Sequence, residues 1–347
     1  MEVSIWDVAK RAGVSKSTVS RALNGDPVSQ ASYEKVIAAV KELGYRPNYM
    51  ARGLRGSSSP VIGVLSFGGK MFRTPSLCTR FAGVSDVLQR HGYDIFLVHD
   101  DYDNFNGIYT PKYITYLAEK RINGLITLGA SDHLESQIKN AATQFRNVVY
   151  TGDRILPDKG FRVYLGNYNY SYDLFHLLLE YGHRRIMMVY CDENNVLFQR
   201  RDAALKAAAR DLGIEDGEIM ISHVFYEEEE YLPKTSKLQE IVYRSYIQGG
   251  FTAIFADESM DASRILSVFA QNGKFPGKDY SLVSIDENER LPYKESITAV
   301  HLPNYDYGKR IAELMIEVIE NEALEYRDVY MSYSLTKGTS VINLKKK

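Results

Sequence analysis

The chain has 347 residues, more than one folding unit usually contains, so two or three domains are expected. Its composition, with 45% hydrophobic and 25% charged residues, is that of a soluble globular protein, and no apolar run approaches the ~18 residues of a membrane span. The N-terminus has no basic stretch followed by an apolar one, and Cys78 and Cys191 are isolated from each other. A cytoplasmic location without a membrane partner is therefore expected.

Charge is distributed unevenly along the chain. Residues 1–59 hold nine Lys and Arg against five Asp and Glu, a net charge of +4, and the remaining residues carry −6. A basic N-terminal segment on an acidic body suits a polyanion that binds at the N-terminus alone. Taken by itself, this asymmetry is a weak signal.

The first 47 residues predict three short helices. A capping-box pattern at residues 4–7 begins the first helix, and Gly13 ends it. Ser15 can cap a second helix over residues 16–24, and a third helix ends before Gly44. Three short helices with a tight turn between the first two form a helix-turn-helix, whose second helix fits the major groove of DNA. Any small three-helix bundle with a solvated charged face is the alternative.

Particular strings in this segment point to a known family. They are Trp6-Asp7-Val8-Ala9, Ala12-Gly13-Val14-Ser15, Thr18-Val19-Ser20-Arg21, Asn24-Gly25, Tyr45-Arg46-Pro47-Asn48 and Ala51-Arg52-Gly53-Leu54. In this order and at this spacing they closely resemble the headpiece and linker of the lactose-repressor (LacI/GalR) family. The resemblance implies a DNA-binding headpiece over residues 1–47 and a hinge helix with its linker over residues 48–59.

The same resemblance implies which side chains contact DNA. Lys16, Ser17 and Arg21 would read bases, and an arginine that forks onto the O6 and N7 of a guanine contributes ~1–3 kcal/mol of discrimination. The positions that match contacts to the phosphate backbone, which set register without reading sequence, are Trp6, Thr18, Asn24 and Ser29.

The hinge segment implies a dimer. In the family the hinge helix forms only when two subunits meet over the operator, and a short isolated helix is marginal in water. Asn48 begins the segment, Ala51 would let two hinge helices approach closely, and Leu54 matches a residue wedged into the minor groove. A homodimer on a palindromic double-stranded operator is therefore expected, with an ordinary interdomain linker as the alternative.

From Val61 onward, short apolar runs alternate with amphipathic helices. The predicted strands cover residues 61–67, 94–99, 124–128, 147–151, 185–190, 222–225, 253–256 and 281–285. This alternation predicts the α/β fold class, with doubly wound parallel sheets in two lobes. The segment resembles the periplasmic-binding-protein-like core of the same family in the strings Gly182-His183-Arg184-Arg185-Ile186, Asn272-Gly273, Ser284-Ile285-Asp286 and Ser296-Ile297-Thr298-Ala299-Val300.

The resemblance also implies three crossings between the lobes, near residues 155–163, 286–300 and 322–328. The core would then cover residues 60–340, followed by a basic tail over residues 341–347. Lobe 1 would take about 60–158 and 290–323, including a helix over 305–321. Lobe 2 would take about 159–289 and 324–340, including a strand over 329–335.

Effector-binding residues are expected beyond the carboxyl ends of the strands, where ligands bind in open α/β sheets. The resemblance places Arg201 and Asp286 on pocket positions, and a guanidinium with a carboxylate suits vicinal hydroxyls. The further candidates are Asp153, Phe72, Arg73 and Asp257, the last of which requires a one-residue gap. For each acid, a surface or hinge salt bridge is the alternative. Departures from the family pattern, such as Gly166 and Tyr170, leave the identity of the ligand open.

No catalytic motif, metal site or cofactor site is predicted, because the sequence lacks a Gly-x-Ser-x-Gly elbow, a His-Glu-x-x-His pair and a phosphate loop. The leading hypothesis is a ligand-controlled repressor of a sugar-utilisation operon, with an inducing mono- or disaccharide, or a derivative of one, held between the lobes. The alternatives are a regulator whose effector is a corepressor or a phosphocarrier protein, and a sugar-binding protein with no role on DNA.

Overall fold

The structure is a computed structural model. It describes residues 3–24, 26–45, 60–67, 75–100, 111–128, 141–152, 160–190, 196–225, 235–285 and 296–346. The chain divides into two compact units, Met1–Ser59 and Pro60–Lys347.

The N-terminal unit contains the three predicted helices, α1 (Ile5–Ala12), α2 (Lys16–Asn24) and α3 (Gln30–Leu43). The predicted capping box is present at the start of α1, where the Ser4 amide donates to the Asp7 carboxylate at 2.9 Å and the Asp7 amide donates to the Ser4 hydroxyl. Two hydrogen bonds lower the pKa of Asp7, the one from the Ser4 hydroxyl having the larger effect and the one from the Ser4 amide the smaller. Gly13, with φ of 63°, ends α1 in the left-handed conformation that favours glycine.

Small side chains form the core of this unit. The buried ones are Val8, Ala9, Ala12, Val19, Ala22, Val36 and Ala39. They recur at helical spacing on all three helices, so each helix has one inward face and leaves its polar face to solvent. The predicted helix-turn-helix is therefore confirmed.

The second unit alternates strands with helices. Its strands are β1 (Val61–Phe67), β2 (Asp94–Asp100), β3 (Gly124–Leu128), β4 (Val148–Thr151), β5 (Phe161–Tyr164), β6 (Arg185–Tyr190), β7 (Met220–Phe225), β8 (Ala253–Ala256), β9 (Ser281–Ile285), β10 (Thr298–His301), β11 (Arg327–Tyr330) and β12 (Ser334–Thr336). Its helices are α4 (Pro75–Arg90), α5 (Lys112–Ala118), α6 (Asn167–Glu180), α7 (Val196–Asp211), α8 (Thr235–Gly249), α9 (Ser259–Gln271) and α10 (Asn304–Glu320).

Two six-stranded sheets organise this unit, as the α/β prediction requires. The first has the order β11-β5-β4-β3-β1-β2 and is parallel throughout, and the second has the order β12-β10-β9-β8-β6-β7 with β12 antiparallel to β10. The central strands are buried on both faces, which explains why they read as continuous apolar runs in the sequence.

The first two crossings between the sheets were predicted too early in the chain. Phe161–Tyr164 pairs with β4 in the first sheet, so the chain leaves that sheet after Tyr164 and not within 155–163. Thr298–His301 pairs with β9 in the second sheet, so the return falls at residues 302–303 and not within 286–300. Strand β10 therefore does not belong to lobe 1, as the predicted boundary at 290 required.

The third crossing was also predicted too early in the chain. The single strand expected over residues 329–335 is two strands, β11 in the first sheet and β12 in the second, with the crossing at residues 331–333 rather than 322–328. A short run that alternates in polarity indicates a strand but does not show which sheet it joins. That choice depends on partners far away in the chain.

Helices α4 and α10 of the first lobe cross at very close range. A Cβ built on Gly308 would overlap the carbonyl oxygen of Arg80, and one built on Gly83 would overlap that of Tyr305. Near this crossing the Arg80 guanidinium donates to the side chain of Asn304 at 2.6 Å. Glycine at these two positions therefore permits the backbone contact between the helices.

Tyrosines connect the crossings to each other and to α6. Tyr164 packs against Tyr330 with the ring centroids 5.4 Å apart, and Tyr170 meets Tyr333 edge-on at 5.7 Å. The Tyr333 hydroxyl donates to the Asp173 carboxylate at 2.5 Å. The pKa of Tyr333 is raised, mainly by burial and to a lesser extent by this hydrogen bond. These contacts hold the first and third crossings side by side.

His183 holds the C-terminal segment against the second sheet. Its Nε2 lies 3.0 Å from the carbonyl oxygen of Ile342, and its Nδ1 lies 2.8 Å from the Thr252 hydroxyl. Because a carbonyl oxygen only accepts, we assign the proton to Nε2 and the acceptor role to Nδ1. Burial of this neutral ring lowers its pKa to about 4.

This shift predicts acid sensitivity of the core. Between the ordinary pKa of 6.5 and the folded value of about 4, the unfolded chain binds a proton at His183 that the folded chain does not bind. The contribution of His183 to the free energy of unfolding is therefore present above pH 6.5 and is lost as the pH falls. The loss is about 2 kcal/mol between pH 7 and pH 5. Urea unfolding at several pH values measures it. The His183→Gln variant should lack this part of the pH slope, whereas the exposed-site variant His301→Gln should retain it.

Candidate nucleic-acid interface and effector site

The second helix of the helix-turn-helix presents a polar face. Its start is fixed by the Ser15 hydroxyl, which accepts from the Thr18 amide at 3.1 Å and lies 2.7 Å from the Ser17 hydroxyl. Since Val19 and Ala22 are buried in the core, Ser17 and Arg21 point outward and are exposed. The structure therefore brings two of the three predicted base-reading residues onto one accessible face.

The third predicted base reader, Lys16, is paired with an aromatic ring. Its Nζ lies 4.8 Å from the centroid of the Trp6 ring, and Trp6 is 64% exposed. Both residues line a groove between α1 and α2, together with Ala9, Lys10 and residues 13–17. An exposed indole in a groove that is lined by two lysines suits a nucleic-acid backbone, because cations attract phosphate and aromatic rings attract cations.

The other predicted backbone-contacting residues differ in their surroundings. Thr18 is half-buried beside Ser15, with the two hydroxyl oxygens 2.9 Å apart. The Ser29 hydroxyl caps α3, where it accepts from the Ser32 amide at 3.3 Å. Asn24 is the last residue of α2. The predicted hinge residues Asn48, Ala51 and Leu54 lie outside the described residues.

A buried ion pair lies in the second lobe. The Arg201 side chain, on α7, is 2% exposed, and that of Asp257, which directly follows β8, is 6% exposed. The guanidinium Nη1 contacts the carboxylate Oδ1, and the guanidinium carbon lies 5.7 Å from the centroid of the Phe255 ring. Two effector candidates that were inferred separately are therefore direct partners.

The remaining effector candidates, Phe72, Arg73, Asp153 and Asp286, lie outside the described residues. Sequence reasoning missed two contacts that the structure shows. One is the Trp6–Lys16 pair, and the other is an ion pair of 3.3 Å between the buried Asp261 carboxylate and Arg264. Only the second of these had a local signal, an acid and a base three residues apart on one helix.

The described part of the chain lacks two further features. No helix there is both long and apolar enough to cross a membrane. No group of three or more His, Cys, Asp or Glu side chains there is arranged to hold a metal ion.

Comparison with known proteins agrees with this architecture. Residues 4–48 match the bacterial regulatory proteins of the lacI family, and residues 175–341 match a periplasmic binding protein-like domain. The chain is 28% identical to the HTH-type transcriptional regulator RegA of Clostridium saccharobutylicum, over 99% of this chain and 100% of that protein.

Two solved structures show the same fold. One is the lac repressor dimer bound to operator and an anti-inducer, with a TM-score of 0.79, 20% identity, and coverage of 99% of this chain and 100% of that chain. The other is the transcriptional regulator CelR in complex with cellobiose, with a TM-score of 0.65, 24% identity, and coverage of 98% and 100%.

A helix-turn-helix unit followed by a two-sheet, periplasmic-binding-protein-like core defines a class of DNA-binding transcriptional regulators. Residues 4–48 match the lacI family of these regulators, and along almost its whole length the chain is similar to one such regulator.

Proposed function

We propose that the protein represses a sugar-utilisation operon, binding a palindromic operator as a homodimer and releasing it when a carbohydrate binds in the core. The observation that carries the DNA-binding role is the outward face of α2, where Ser17 and Arg21 are exposed beside the Trp6–Lys16 pair. An α-helix with polar side chains at its exposed start is the element that reads the major groove in a helix-turn-helix.

Exposed apolar side chains on two sheet edges support the homodimer. Strand β2 ends the first sheet and exposes Phe96 (39%) and Leu97 (43%), and strand β7 ends the second sheet and exposes Met220 (43%). An apolar edge strand is an aggregation hazard unless another surface covers it. A second copy that packs along both edges would cover them.

The effector site is proposed around Arg201 and Asp257, with Asp286, Asp153, Phe72 and Arg73 contributed by other segments of the core. The relative CelR was solved with cellobiose, which supports a carbohydrate ligand here. Ligand binding and operator binding would be coupled by ~1–3 kcal/mol. The coupling would act through a rotation of one lobe relative to the other, which changes the distance between the paired hinges.

Selection of duplexes from a random library, followed by gel shift over a series of salt concentrations, tests the DNA-binding role. We expect a palindromic sequence and a steep fall of affinity with salt, because each neutralised phosphate releases counterions. No preference for any palindrome over random DNA, with and without candidate sugars, would refute the proposal. A sugar panel without a hit, alongside tight binding to a phosphocarrier protein, would replace the carbohydrate by a protein effector.

Arg21→Ala should weaken sequence discrimination rather than binding in general. If Arg21 contacts a guanine, its loss costs ~1–3 kcal/mol on the selected operator and much less on random DNA. Lys41→Ala is the matched control, since it removes one exposed positive charge from the same unit. Equal losses for the two variants on both duplexes would contradict a base-reading role for Arg21.

Leu54→Ala should weaken operator binding and leave effector binding unchanged. A side chain wedged between base steps stabilises a bent duplex, and alanine is too short to do so. Gel shift measures the first quantity and calorimetry with the effector the second. An operator affinity equal to that of the wild type would rule out the wedge.

A further inference from the structure

The Arg201–Asp257 pair determines which charge a ligand can carry, an inference that rests on the proposed effector site. The guanidinium and the carboxylate contact each other directly, and both side chains are more than nine-tenths buried. Buried charges are poorly screened, so each acts strongly on any group brought into the site. The charge of the guanidinium is already balanced by its neighbour.

An anionic ligand meets an obstacle in this arrangement. A phosphate or carboxylate group placed against the Arg201 guanidinium would also lie close to the Asp257 carboxylate, because Oδ1 touches Nη1. Repulsion between the two negative groups offsets the attraction of the guanidinium.

A hydroxyl group meets no such obstacle. It accepts a hydrogen bond from the guanidinium and donates its own proton to the carboxylate, so one hydroxyl satisfies both members of the pair. We propose that the effector is an uncharged polyhydroxyl compound, and that Asp257 is the residue that excludes phosphorylated and acidic sugars from the Arg201 guanidinium.

Titration with inorganic phosphate tests this selectivity without knowledge of the effector. In calorimetry on the full chain at constant ionic strength, the wild type should show no saturable binding. Asp257→Asn keeps the shape of the side chain but removes its charge, so it should bind one phosphate per chain, roughly tenfold or more tighter than the wild type. Phosphate should also raise the thermal stability of this variant, since it replaces the negative charge that the substitution removes.

Asp261→Asn is the matched control. It makes the same substitution at a neighbouring buried carboxylate, which is 3% exposed, but the partner there, Arg264, is 27% exposed and reaches water. This variant should behave as the wild type does toward phosphate. If Asp257→Asn does not fold, Asp257→Ser removes the same charge with a smaller side chain.

Three outcomes would overturn the proposal. They are phosphate binding by the wild type as tight as that of the Asp257 variants, no binding by either kind of protein, and an equal gain in Asp261→Asn. Operator binding by the wild type is measured separately in the gel shift. Failure there would refute the repressor function, and the phosphate titration would still report on the charge selectivity of the core.

Discussion

Arg201→Met is expected to destabilise the core by about 3–5 kcal/mol, because it leaves the Asp257 carboxylate buried without its partner. Desolvation of an isolated charge is costly, whereas a buried pair compensates much of that cost. Urea unfolding of the full chain, followed by circular dichroism, measures the loss. We expect the variant to lose its response to effector as well, while operator binding persists under conditions where the core remains folded.

The double variant Arg201→Met/Asp257→Leu separates the two effects. Replacing both charged side chains by apolar ones of similar size should recover most of the stability, since the two members of this ion pair are then removed together. The response to effector should not return, because the hydrogen-bonding groups are absent. Lys274→Met is the control, because it removes one member of a solvent-accessible ion pair, Lys274–Asp279, in the same lobe. It should change the free energy of unfolding by less than about 1 kcal/mol. A normal response in either Arg201 variant would move the effector site elsewhere.

Gly308→Ala is expected to destabilise the first lobe by about 3 kcal/mol. In an exposed helix interior this change would stabilise by about 1 kcal/mol, because alanine has the higher helix propensity. Here the added methyl group would overlap the Arg80 carbonyl oxygen, which belongs to helix backbone and cannot move aside as a side chain can. The overlap therefore outweighs the propensity.

Thermal and urea unfolding of Gly308→Ala measure this effect. Gly217→Ala is the control, since Gly217 does not have a positive φ and a Cβ there meets nothing within 4 Å. That variant should unfold as the wild type does. If Gly308→Ala also unfolds as the wild type does, the close crossing of α4 and α10 is contradicted.

Local signals predicted the first unit and most of the second. Ser4 with Asp7 and Ser15 with Thr18 are hydrogen-bonded within a few residues of each other, so helix starts could be read directly from the sequence. The apolar runs of β1, β3, β6, β8 and β9 were likewise visible, because a parallel strand buried on both faces has no polar alternation.

The proposed effector site was predictable only in part. The resemblance to the family indicated Arg201 and Asp257 one at a time, and the structure shows that they are partners across α7 and β8. Nothing near either residue in the sequence signals the other, since neighbouring side chains along a helix interact only three or four positions apart. The Trp6–Lys16 contact escaped prediction for the same reason, because it joins two different helices.

The sequence by itself determined the helix-turn-helix and the α/β class of the core, because caps, glycine stops and periodicity act over a few residues. The tertiary structure alone decided which sheet each short strand joins and which charges meet. Arg162 of β5 hydrogen-bonds Asp328 of β11, 166 positions further along the chain, at 2.9 Å. Such pairings follow from the way the whole chain closes on itself, and no local pattern of residues encodes them.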